Sequence, residues 1–154
     1  MEIKPIERLD TTVRIPGSKS YTQRAMVIAA LAEGESCLRD VLIAEDTELL
    51  AVALGALGAN IRRDGRDMIV AGTGGKIAAL SREIHLGNNG TAMRLLAGMA
   101  SLGIGRTITS GDKRLSERTT TPRLVALADI NGDGALDGQR VDAHPIEVVV
   151  ATLE

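Results

Sequence analysis

The sequence predicts an α/β fold, built as two tandem β-α-β-α-β-β repeats with helices packed on sheets. Three observations carry this expectation. Short strand-like stretches alternate with segments of helical period, a glycine-containing turn precedes each of two apolar helices, and the chain aligns with itself at an offset of 70 residues.

The first repeat, about residues 13–74, opens on Val13-Arg14-Ile15 as a strand. The turn Gly17-Ser18-Lys19-Ser20 follows, and then an apolar helix over Arg24–Ala32. Ser36–Val41 is expected as a second strand and Asp46–Leu57 as a second helix, with Leu49, Leu50, Ala53 and Leu57 on one face. Asn60–Arg62 and Met68–Ala71 close the unit as strands.

The second repeat, about residues 82–152, runs in the same order. Glu83–Leu86 is its first strand, Gly87-Asn88-Asn89-Gly90 its turn, Met93–Leu102 its helix and Arg106–Gly111 its second strand. Arg123–Ala128, behind Pro122, is expected as its second helix, and Arg140–Asp142 with Ile146–Ala151 as its closing strands. Neither unit buries its helix face alone, so the two are expected to share a core within one partial domain, 1–154. The offset grows to 79 by the last strands, placing about nine extra residues near Asn131–Gln139. There Asp129–Gly134 imitates the first half of a calcium loop, but Arg140 stands where the bidentate carboxylate belongs. A solvated turn is expected, and no metal.

Composition narrows the function. With 44% hydrophobic and 25% charged residues the chain is an ordinary folded protein. Tyr21 is its only aromatic residue of the Phe, Trp and Tyr set, and the formal charge is −2, so neither base stacking nor a general basic surface suggests nucleic acid. Anion binding must come from local clusters of basic groups. The one cysteine, Cys37, is expected to be a small buried side chain in a reducing compartment. No apolar run approaches the ~20 residues of a membrane span, and the charged start Met1–Pro5 lacks a signal-peptide core, so a cytoplasmic location without a membrane partner is expected.

Three segments carry chemistry. Pro16–Arg24 puts Lys19 and Ser20 at a helix start with Arg24 one turn on, where unpaired N–H groups and the helix dipole favour a phosphate. Equally, Ser20 caps the helix and the two cations are solvated. Gly87–Arg94 offers glycines, amides and a hydroxyl at a second helix start, or forms an ordinary turn. Gly111–Arg118 is a charged loop in which Arg114 can pair with carboxylate or phosphate, or is simply solvated. Glu45, Asp46 and Glu48 read as the charged start of a helix, and His85 and His144 as no metal pair.

Taken together, Pro16-Gly17-Ser18-Lys19-Ser20 with Arg24, Gly87-Asn88 with Gly90-Thr91-Ala92-Met93-Arg94, and Gly111-Asp112 with Arg114 and Glu117-Arg118 resemble the three amino-terminal motifs of the 5-enolpyruvylshikimate-3-phosphate synthase family. The resemblance implies transfer of the enolpyruvyl group of phosphoenolpyruvate to the 5-hydroxyl of shikimate 3-phosphate, with release of phosphate and no metal or organic cofactor. It implies that Lys19 touches both substrates and serves catalysis, that Ser20 and Arg24 bind shikimate 3-phosphate, and that Gly90 and Arg114 bind phosphoenolpyruvate. Asn88, Thr91 and Arg94 would shape the second pocket.

Asn89, Leu95 and Thr119 depart from that family's usual alanine, proline and proline, which implies altered sensitivity to glyphosate, an occupant of the phosphoenolpyruvate pocket. The family's third repeat of this domain and its other domain, with the acidic catalytic residues, are not in the sequence. The chain is therefore expected to act only with the complementary carboxy-terminal part, the alternative being a stand-alone, non-catalytic phosphate-ligand binding module. The UDP-N-acetylglucosamine branch of such transferases suits Lys19-Ser20 and Arg24 less well.

Overall fold

The computed structural model describes residues 8, 10–78, 80, 82–100, 102–103, 105–116, 127–128, 137–138 and 146–150. The first element is helix α1 (Lys19–Leu31), which starts five residues earlier than the apolar pattern suggests. Ser18 explains this: its backbone is extended, and its hydroxyl accepts from the Tyr21 N–H at 3.5 Å, the outer limit of a hydrogen bond. Ser18, not Ser20, is the cap. The helix buries Thr22, Gln23, Met26, Val27, Ala29 and Ala30.

Val13-Arg14-Ile15 does not form the expected strand. A strand needs a neighbour for its ladder, and strand β1 (Glu35–Leu38) stops short of offering one. Asp40 takes a left-handed φ of 52°, which aspartate tolerates, and its N–H donates to Asp67 Oδ1 at 2.8 Å. Val41 N–H then turns to the Arg66 carbonyl at 2.9 Å. Val13 and Ile15 remain 73% and 77% exposed. Cys37 is likewise exposed, correcting the expectation of a buried thiol, because strand alternation leaves Ser36 and Leu38 half-buried and turns Cys37 outward.

Helix α2 (Glu45–Ala56) begins without a polar cap residue. Thr47 compensates: its Oγ1 accepts from Ala44 N–H at 3.0 Å and donates toward the carbonyls of Leu42 and Ala44. The buried face is Leu50, Ala53 and Leu54 with Leu57 just beyond, while Leu49 is only partly covered. Strands β2 (Asn60–Asp64) and β3 (Asp67–Ala71) form a hairpin whose turn uses Gly65 at φ 60°. The sheet order is β1-β3-β2, all antiparallel, with Met68, Ile69 and Val70 of the central strand buried.

The second half opens with β4 (Ile84–His85), followed by α3 (Gly90–Ala100), β5 (Gly105–Ser110) and the short α4 (Lys113–Ser116). Then come β6 (Leu127–Ala128), β7 (Asp137–Gly138) and β8 (Ile146–Val150). β4 runs parallel to β5, and β5 antiparallel to β8. Leu127 and Ala128 pair with β7 as strand, which corrects the helix expected through Ala128: an apolar pair this short fits either state, and the ladder decides. The expected strand Arg140–Asp142, the acidic loop Asp129–Gly134, and Glu117, Arg118, Thr119 and His144 lie outside the described residues.

α1 packs against both α2 and α3. One hydrophobic cluster consequently runs from Met26, Leu50, Leu54 and Val70 to Leu86, Leu96, Met99 and Leu115. Residues 21–30 and 91–100 also present the same succession of exposed, half-buried and buried positions.

Candidate functional site

Each helix start is fixed by what its glycine touches. A Cβ on Gly17 would lie 2.5 Å from the Asp40 carbonyl oxygen and 2.9 Å from Leu42 N, so only glycine lets the turn before α1 rest on the loop after β1. Leu42 N–H in turn donates to Thr22 Oγ1 at 3.1 Å. Gly87, at φ 54°, plays the corresponding part before α3, and its carbonyl accepts from Asp112 N–H at 2.8 Å in the loop after β5. Leu86 N–H to the Ser110 carbonyl, 2.9 Å, completes that join.

On this frame Lys19 and Ser20 occupy the first two positions of α1, both exposed, with Arg24 one turn further along. The Arg24 guanidinium lies 5.8 Å from the centre of the Tyr21 ring, within cation–π range. Gly90 is the first residue of α3; Thr91 and Arg94 stand exposed on its first turns. Asn88 is half-buried, and its Oδ1 has no hydrogen-bond partner among the described residues. Arg114 is exposed on α4, directly after the loop tied to Gly87.

Asp46, set aside in the sequence as one acid of a helix start, joins the first two segments. Its Oδ2 lies 2.6 Å from Lys19 Nζ. Its backbone carbonyl accepts from Asn89 Nδ2 at 2.8 Å and, more weakly, from Gln23 Nε2 at 3.4 Å. Asn89 is 2% exposed and uses both ends of its amide, since Oδ1 accepts from Ala92 N–H at 3.0 Å and so caps α3. The ion pair itself, with Lys19 53% exposed, adds about 1 kcal/mol or less to stability. Its consequence is geometric: it biases a long, flexible side chain toward one position.

His85, read in the sequence only as no part of a metal pair, makes two contacts. Nδ1 lies 3.1 Å from Ser110 Oγ and Nε2 3.2 Å from Asp112 Oδ1, so the ring spans the ends of β4 and β5 at the surface. No group of three His, Cys, Asp or Glu suited to a metal exists among the described residues, and no described helix is long and apolar enough to cross a membrane.

These elements define an α/β protein in which the starts of two helices meet at a single aspartate, through Lys19 of one and Asn89 of the other. The family model described as EPSP synthase (3-phosphoshikimate 1-carboxyvinyltransferase) matches residues 3–144, and the chain belongs to that family. It is 43% identical over 118 residues to the 3-phosphoshikimate 1-carboxyvinyltransferase of Cupriavidus taiwanensis, covering 77% of this chain and 27% of the relative. The enzyme of that name from Methanothermobacter thermautotrophicus is 43% identical over 140 residues, covering 91% and 33%. Among solved structures, EPSP synthase from Acinetobacter baumannii matches with a TM-score of 0.65 and 31% identity, over 69% of this chain and 24% of that one. The chain thus spans about a third or less of the length of these relatives.

Proposed function

We propose that the chain is the amino-terminal, anion-binding part of a shikimate-pathway enolpyruvyl transferase. In this reading Lys19, Ser20 and Arg24 bind shikimate 3-phosphate. Lys19, Gly90 and Arg114 bind phosphoenolpyruvate, and Asn88, Thr91 and Arg94 shape that second pocket. The parent enzyme transfers the enolpyruvyl group to the 5-hydroxyl of shikimate 3-phosphate and releases phosphate, in the cytoplasm. The two halves, about 13–74 and 82–152, are repeats within one partial domain, a view supported by the matching burial of α1 and α3.

The observation that carries the reading is the meeting of the α1 and α3 starts at Asp46, with the Arg114 loop bonded to Gly87. Two anionic substrates repel one another, and bringing them together requires fixed cations and N–H donors from both segments at once. Those cations also offset the charge that develops on the departing phosphate. The acidic catalytic residues of such an enzyme would come from a complementary carboxy-terminal part.

Calorimetry tests the binding half of this reading. Lys19→Met is expected to weaken shikimate 3-phosphate binding by about tenfold or more, as loss of a charge-assisted contact does. Unchanged affinity would count against it. Phosphate release is expected only when the carboxy-terminal part is added. Binding without release even then would favour a non-catalytic module.

A further inference from the structure

We propose that Asp46 is a positioning residue that couples the two anion-binding segments: its carboxylate places the Lys19 ammonium, while its carbonyl, gripped by Asn89, ties that carboxylate to the start of α3. This rests on the role proposed above for Lys19.

The argument begins with reach. Lys19 leaves the first position of α1 on a four-carbon stem that samples many rotamers when nothing holds it. Asp46 sits in the first turn of the neighbouring helix, 27 residues away in sequence, and meets that ammonium at 2.6 Å. A charge-assisted bond of this length selects one family of lysine rotamers.

Asp46 is itself constrained from two sides. Gln23, fully buried, and Asn89, nearly so, both direct amide donors at its carbonyl oxygen. The same Asn89 accepts from Ala92 N–H, so the cap of α3 and the anchor of Asp46 are one side chain. A displacement of the Gly90 helix start relative to Asp46 strains this amide. Lys19 and Gly90 are therefore set in register by a short polar chain of three residues, Lys19, Asp46 and Asn89.

A carboxylate beside an anion site has two opposing effects. Its charge repels the incoming phosphate, and its hydrogen bond prepares the lysine to receive one. The sign of a substitution separates them. If charge dominates, Asp46→Asn tightens anion binding; if positioning dominates, it weakens it.

Two measurements on this chain decide the matter. The first is labelling of the unliganded protein with an amine-acylating reagent, read at Lys19 by mass spectrometry. Release of the ammonium is expected to speed acylation severalfold in Asp46→Asn and, to a smaller degree, in Asn89→Ala. Glu48→Gln, which removes another exposed first-turn acid of α2, controls for the helix-dipole effect and should label as the parent does. A parent-like rate in Asp46→Asn would overturn the proposal.

The second measurement is shikimate 3-phosphate binding by calorimetry. Asp46→Asn is expected to bind about two- to fivefold more weakly, with Glu48→Gln unchanged. Asp46→Glu keeps the charge but moves it by one methylene, and it too should bind more weakly; this variant serves if the asparagine form does not fold. Equal or tighter binding in both would overturn the proposal. Should the parent chain bind no shikimate 3-phosphate, the functional reading of the preceding section falls, and the labelling pattern alone still decides whether Asp46 holds Lys19.

Discussion

At the residue scale, the glycines before the helices have a physical reason to be there. A methyl at Gly17 collides with backbone atoms of the loop after β1, not with the end of a flexible side chain that could yield. Gly17→Ala is expected to cost about 1–3 kcal/mol in urea denaturation, in the range of an overpacked site. A loss below a few tenths would show that the loop can withdraw. The glycines, Lys19 and Arg24 were legible in the sequence because local chemistry marks a helix start. Asp46, Gln23 and Asn89 were not, because their roles depend on bonds spanning 23 to 43 residues, which no periodicity reports. Asn89 drew attention only as a departure from the family's alanine; the structure supplies its reason.

At the element scale, α2 depends on a side chain three residues inside it. Thr47 is fully buried and completes the hydrogen bonding of the Leu42–Ala44 approach. Thr47→Val keeps the shape and removes these bonds, so a loss of about 1–2 kcal/mol is expected, with Thr47→Ser recovering part of it. Thermal unfolding followed by circular dichroism checks both. The helices α1, α2 and α3 and the strands β3 and β5 were readable within about five residues from their own local patterns, and β2 as the strand preceding β3. Val13–Ile15 misled because two β-branched residues signal only a propensity, and a strand exists through its partner. Leu127-Ala128 misled in the opposite sense, a short run whose ladder with β7 overrode its helical pattern.

At the scale of the whole molecule, the shared cluster makes a prediction about cooperativity. Met26 is fully buried in the helix that packs on both α2 and α3. Met26→Ala is expected to destabilise by about 2–5 kcal/mol, and to lower hydrogen-exchange protection in α2 and α3 together. Protection lost in α2 alone would mean that the halves open independently.

The outward turn of Cys37 has a practical consequence. It is the chain's single thiol and lies exposed on β1, an edge strand of the first sheet. One maleimide fluorophore should attach per molecule under native conditions, as mass spectrometry can verify. The sequence thereby carries a built-in attachment point for an optical reporter, from which ligand binding could be followed in real time without engineering a cysteine.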